Sequence, residues 1–276
     1  MSLFIGAFQG IMVKFMNLIR YQKNFFRYKY LLLELVKKNI KLKYRRSYLG
    51  ILWTLIEPLL TMMVLTLVFG QFFGRGDRQF PIYVLCGRLL FSFFSSGTKG
   101  GLKAVSGNAS MIKKVYVPKY IYVISSVLSE FITFLISLIV LVGVGIVLRV
   151  QPTLYIFQAV VPLSILFIFT FGCSMILSTC NVFFRDIEYI WSVVVFLLHY
   201  ASAIFYQPDR IISTGNGWVF DVNPVYMCIA NFRNTILYGT GIDANYCLVS
   251  GTIALVTFAL GIVLFVRQQD KFILYV

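Results

Sequence analysis

Charged side chains are scarce in this sequence, and acidic ones scarcer still. Of its 276 residues only 13% are Asp, Glu, Lys or Arg, about half the share of an ordinary soluble domain. There is one histidine, His199. No HExxH, no GxSxG and no carboxylates at metal-ligand spacing occur, so no catalytic residue, no metal site and no cofactor held by this chain are expected. A GxxxxGK(S/T) loop is also missing, since the glycines of GTKGGLKA (Gly97 to Ala104) do not fit it. The chain is therefore not expected to hydrolyse nucleotide by itself, and any ATP-driven role needs a second polypeptide. The five cysteines, Cys86, Cys173, Cys180, Cys228 and Cys247, show no CxxC spacing and read as small buried apolar residues, with pairing of Cys228 and Cys247 left open. The first 30 residues hold no apolar core followed by a small-residue cleavage site, so the N-terminus is expected to stay on the chain.

What the sequence has in abundance is apolar surface. Hydrophobic residues make up 59%, more than one core can use, so most must face lipid. This excludes a soluble enzyme, a nucleic-acid-binding domain and a disordered protein. A bilayer span takes roughly 20 mostly apolar residues. Six stretches qualify: residues 49–73, 80–97, 119–148, 154–182, 187–206 and 245–266. The expected fold is thus all-α and polytopic. Residues 1–48 form a cytoplasmic N-terminus, 49–267 the six-span domain and 268–276 a short tail.

The net charge of +15 is unevenly placed. Eleven of the 25 basic residues, Lys14 to Arg46, precede the first span. Lys99, Lys103, Lys113, Lys114 and Lys119 follow the second, and Arg185, Arg267 and Lys271 fall on the same side if there are six spans. Only Arg75, Arg78, Arg149, Arg210 and Arg233 fall opposite, with Arg88 near or inside the second span. The positive-inside rule then puts both termini in the cytoplasm.

Three segments outside the spans are informative. From Leu33 to Arg45, Glu34, Lys37, Lys38, Lys41 and Arg45 form a polar stripe and Leu33, Val36, Ile40 and Tyr44 an apolar one. Such a helix lies in the lipid interface or forms part of a docking surface. Ser106 to Pro118 predicts a short helix with Met111 and Ile112 exposed to the cytoplasm as a knob. Gln207 to Gly239 is too polar to span and too oily for a free loop. It predicts two short helices dipping into the outer leaflet, the second capped by Asn223 with Pro224 in its first turn. Inside the spans, Glu57 and Glu130 each carry a cost of about 2.5–3.5 kcal/mol on insertion scales. They are either structural ion pairs or the lining of a polar path. Such a path would draw on Trp53, Glu57, Phe69, Phe91, Phe94 and Tyr206, although interfacial belts also explain the aromatics. His199 reads as a packed neutral side chain or as a proton relay.

The order of these features, with YRRSYLGILWTLIEPLLTMMVLTLVFG (Tyr44 to Gly70), SGNASMIKKVYVPKYIYVISSVLSE from Ser106, NVFFRDIEYI (Asn181 to Ile190) and NPVYMCIANFRNTILYG (Asn223 to Gly239), resembles the permease subunit of type 2 ATP-binding-cassette exporters of cell-surface polysaccharide, the O-antigen and teichoic acid class. The resemblance covers about residues 30 to 276. It implies a homodimer of six-span subunits in the bacterial cytoplasmic membrane, enclosing a channel for a polyprenyl-linked glycan. Two ATPase subunits would bind ATP and Mg below it. Asn108, Ala109, Ser110, Met111, Ile112 and Lys113 would be the coupling helix and Lys37, Lys38, Lys41 and Arg45 part of the interface helix. Arg185 and Asp186 would make a second cytoplasmic contact, and Trp218, Asn223, Pro224 and Tyr226 would belong to the outer gate.

Two other classes share part of this pattern. An exporter of drugs or small lipids has the same topology, and a membrane-embedded acyl- or glycosyltransferase would need a catalytic Asp or His facing a cavity. An ion-coupled carrier would show internal repeats and paired intramembrane acids, and no convincing repeat is present.

Overall fold

The structure, a computed structural model, describes residues 28–73, 78–114 and 117–275, so the first 27 residues of the expected cytoplasmic N-terminus and Arg75 lie outside the described residues. Among the described residues every regular element is helical. Helix α1 is Lys29–Tyr44. A 3-10 turn at Gly50–Leu52 leads into α2, Trp53–Phe73. Helix α3 is Phe80–Lys103, α4 the short Ala109–Lys114 and α5 Tyr120–Val147. The 3-10 turns of Leu154–Ala159 open α6, Val160–Phe183. Then come α7, Ile187–Ala201, α8, Pro224–Ile236, and α9, Ala244–Gln268.

Five helices, α2, α3, α5, α6 and α9, are long and apolar enough to cross a membrane. The fifth expected stretch, residues 187–206, is shorter than expected. Helix α7 ends at Ala201 after 15 residues, about 22 Å at 1.5 Å per residue. Ala203 then takes a left-handed φ of 45°, and the carbonyls of Ala203 and Ile204 turn to side chains of other helices instead of continuing the ladder.

Helix α3 is the hub. Phe80, Ile82, Val84, Leu85, Leu90 and Phe94 along it are at most 1% exposed, enclosed by α2, α5, α6, α7 and α8. It runs six residues beyond the expected Gly97, and its glycines sit in contacts that admit no side chain. A Cβ at Gly97 would stand 2.6 Å from Thr170 Cγ2 on α6. The crossing of α6 and α9 is closer still: a Cβ at Gly172 would lie 2.7 Å from the Phe258 nitrogen, and one at Gly261 2.6 Å from the Gly172 oxygen. Small residues let helix backbones approach where the surrounding lipid supplies no hydrophobic drive. Gly172→Ala is expected to force these helices apart at a cost of about 1–3 kcal/mol. A lower melting midpoint of the purified protein would register it, and an unchanged one would contradict this packing.

A second core gathers at one end of the bundle. Leu35 and Val36 of α1, Val105, Ile112 of α4, Tyr122 of α5, Val182 of α6, and Phe265 and Phe272 around the end of α9 pack there. Helix α1 lies against α5 and begins four residues before the expected Leu33. It buries Leu32, Leu35 and Val36 and leaves Leu33 52% exposed, so the buried stripe is rotated from the one expected.

Candidate coupling and gate sites

The basic end carries three expected contact segments, and the structure sets two of them side by side. Asn108 Nδ2 donates to the Ala104 oxygen at 2.8 Å, holding the 3-10 turn Ser106–Asn108 against the end of α3. Asn181 Nδ2 donates to the Leu102 oxygen and to Ser106 Oγ, and Lys103 pairs with Glu188 at 2.5 Å. The turn bearing Arg185 and Asp186, both exposed, is thereby tied to the segment bearing α4. Within α4 the burial corrects the expectation. Ile112 is 7% exposed and packs into the second core, and Met111 is half-buried against it. The outward face is Ser110, Lys113 and Lys114, with Ala109 at its edge. Lys37, Lys38 and Lys41 on α1 and Arg45 at its C-cap are all exposed, with Lys37 paired to Glu34 at 2.9 Å. Lys119 is buried, donates to the Gln269 oxygen and lies over the Phe272 ring.

At the other end, residues 207–239 form short turns, Asp209–Ile211, Ile212–Asn216 and Trp218–Asp221, followed by α8. Asn223 is the N-cap, as the sequence predicts. Its Oδ1 accepts from the Val225 and Tyr226 amides at 3.0 and 3.3 Å. Its Nδ2 reaches back to the Ala201 oxygen and Ser202 Oγ, joining the start of α8 to the end of α7. Pro224 stands in the first turn, Tyr226 is buried with its ring tilted against that of Phe220, centroids 4.6 Å apart, and Trp218 is 65% exposed. Helix α8 is embedded against α3, α6 and α9.

The six expected path residues do not share one surface. Trp53 and Glu57 on α2 are exposed, Phe69 stacks on Phe205 at 4.7 Å, and Tyr206 donates to the Tyr200 oxygen. Phe91 and Phe94 are core residues of the single chain, Phe91 against His199 and Phe94 against Phe169 and Trp191. His199 is ringed by Phe91, Tyr200 and Phe205, the packed environment of one of its two readings. Cys228 and Cys247 are free thiols, and Cys247 Sγ accepts from Asn231 Nδ2.

Residues 30–237 match the family described as ABC-2 type transporter. The chain belongs to that family. It is 28% identical over 243 residues to an "O-antigen export system permease protein RfbA" of Klebsiella pneumoniae, covering 88% of this chain and 93% of the relative. A protein of that name from Myxococcus xanthus is 29% identical over 217 residues, covering 78% and 84%. The "Polysialic acid transport protein KpsM" of Escherichia coli is 23% identical over 243 residues, covering 84% and 91%.

In this ABC-2 chain the residue that sequence reading missed is Arg233. It counts among the outer basic residues by position, yet it is 3% exposed. Its Nε and Nη2 donate to the Tyr83 oxygen, Nη1 to the Ala203 oxygen at 3.0 Å and Nη2 to the Ile204 oxygen at 3.1 Å. The guanidinium also lies 3.5 Å from the centroid of the Tyr83 ring, whose hydroxyl donates to the Ala203 and Tyr206 oxygens. One side chain of α8 thus holds α3 and the break after α7. Gly87 makes room for it, since a Cβ there would stand 2.6 Å from Nη2. Gly87, beside Arg88 in an otherwise apolar run from Val84 to Leu90, is the one sequence signal that something large approaches that helix.

Proposed function

We propose that this chain is the channel-forming membrane subunit of an ATP-driven exporter that moves a polyprenyl-linked cell-surface polysaccharide out of the cytoplasm. The observation that carries this is its family together with relatives named for O-antigen and polysialic acid export, each covered over 84% or more of its length. In this reading two copies form the channel, and two separate ATPase subunits, which hold ATP and Mg, dock on the basic end. Residues 1–48 and 268–276 are cytoplasmic and 49–267 make the membrane domain, with α7 as the short fifth of six crossings. Helix α1 is then an interface helix, α4 the coupling helix with Arg185 and Asp186 beside it, and residues 207–239 the outer gate. Deleting the gene in its host and restoring it on a plasmid should remove and return the surface polysaccharide. An intact surface polymer in the deletion strain would refute the assignment.

The exposed face of α7 supports the dimer. Tyr189, Ile190, Val193, Phe196 and Leu197 are 57–75% exposed on one face of α7, and a second copy packed there would bury them. Val193→Cys in a cysteine-free background is expected to cross-link two chains on oxidation in membranes, whereas Leu255→Cys on α9 should not. Equal cross-linking of the two would refute this seam.

The basic end supports a cytoplasmic orientation. Thr214→Cys should react with an impermeant thiol reagent in cells whose outer barrier is opened, and Ser110→Cys should not. The opposite pattern would invert the topology.

A further inference from the structure

Beneath the α1–α2 connection a polar cleft of about 180 Å³ opens between α2, α3 and α5, far above the roughly 10–15 Å³ that a single water needs. Two ion pairs face it, and they differ. Lys43 and Glu130 are closed at 2.8 Å. Arg88 and Glu57 stand 3.8 Å apart, beyond hydrogen-bond length, with the Glu57 side chain 66% exposed and that of Arg88 27%. Among the described residues no hydrogen bond occupies the guanidinium donors of Arg88, or the hydroxyls of Ser92 and Ser96, one and two turns along the same face of α3. Above Glu57, at helical spacing on α2, runs an exposed apolar stripe of Leu60, Val64 and Leu67, 51%, 58% and 76% exposed.

We propose that this cleft binds the headgroup of a zwitterionic phospholipid, the phosphate on Arg88 and a primary ammonium on Glu57, with the acyl chains along Leu60, Val64 and Leu67. The charges select the ligand. An anion alone would meet Arg88 but face Glu57, and a cation alone would meet the reverse. A headgroup carrying both charges enters the open pair and satisfies each side. A guanidinium presents two parallel N–H donors to a phosphate, which suits Arg88 better than a lysine. The stripe decides that the phosphate is carried by a lipid and is not free in solution, because it begins one turn above the charged pair and leads into the hydrocarbon. The binding requires only that α2 lies in a bilayer, and it stands whether or not the chain carries a polysaccharide.

The test is the thermal unfolding midpoint of the full chain in detergent, titrated separately with dioctanoyl phosphatidylethanolamine, dioctanoyl phosphatidylglycerol and inorganic phosphate. Phosphatidylethanolamine is expected to raise the midpoint saturably, and the other two are not. Arg88→Gln and Glu57→Gln should each shift the half-saturating concentration by roughly tenfold or more, the scale of one lost charge-assisted hydrogen bond. An equal response to phosphatidylglycerol would make this an anionic-lipid site, and an equal response to inorganic phosphate a simple anion site. Either result overturns the proposal. So does the absence of a saturable response to any of the three in the wild-type chain, which would leave a water-filled cleft. Variants that respond like wild type place the lipid elsewhere and overturn it as well.

Discussion

Arg233→Met is expected to lower the melting midpoint of the purified protein by several degrees, and Arg233→Lys to do no better despite keeping the charge. The guanidinium makes four hydrogen bonds to three carbonyls and stacks on Tyr83. A hydrogen bond to a charged group contributes about 1.5–3 kcal/mol, and a desolvated cation on an aromatic face about 2 kcal/mol. Keeping that cation out of water costs several kcal/mol in the opposite sense. Methionine removes both sides of this balance and strands the Ile204 oxygen, for a net loss of about 2–4 kcal/mol. Lysine is a point charge without the fork, so it cannot reach carbonyls on α3 and on the break after α7 together, and it leaves a poorly solvated charge behind. Gly87→Ala should act through the same contact, because its Cβ would displace Nη2 and would also stand 3.3 Å from the Ile204 Cα. The two changes combined should therefore cost less than their sum. A lysine variant that melts like wild type would refute the fork, and strict additivity with Gly87→Ala would refute the shared contact.

The contrast between Asn223 and Arg233 marks what a sequence can disclose here. Asn223 caps the amides two and three residues ahead, so everything its role requires is written within one turn. The partners of Arg233 lie 150 and about 30 residues away, and position alone made it an ordinary outer cation. The spans follow the same division. Residues 49–73 and 119–148 were legible from apolar length, and the structure starts and ends those helices within a few residues. The early end of α7 was not, because the carbonyls just beyond it are held by a hydroxyl and a guanidinium from distant helices. In α1 the error is a rotation. The polar stripe is where the sequence puts it, but α5 meets the helix through Leu32 and Leu35, leaving Leu33 outside. Phe91 and Phe94 show a limit of composition: an aromatic run that could line a path fills the centre of α3 instead.

The largest loss of export is expected from Lys113→Glu combined with Lys114→Glu, and the reason is the way α4 is held. Ile112 anchors this short helix in the second core, and Asn108, Asn181 and the Lys103–Glu188 pair brace the turns on either side. The segment sits between the end of α3 and the start of α5, so a push on its outer face passes to both helices. That face offers Ser110, Lys113 and Lys114, which suits an acidic groove on an ATPase. Reversing two exposed charges leaves the core untouched, so the membrane subunit should melt as before. Across an interface it turns attraction into like-charge repulsion, which costs several kcal/mol and weakens association correspondingly. Co-purification of the ATPase should fall at least tenfold and the surface polymer should disappear. Because the contact is exposed before docking, raising the ionic strength should weaken the wild-type association in the same direction. Ile112→Asp supplies the contrast. It buries a carboxylate in an apolar cluster and should lower the melting midpoint of the membrane subunit even with no ATPase present. If the double lysine variant exports normally with its ATPase bound, α4 is not where the two proteins meet. If it melts early instead, its face is part of the fold and not a docking surface.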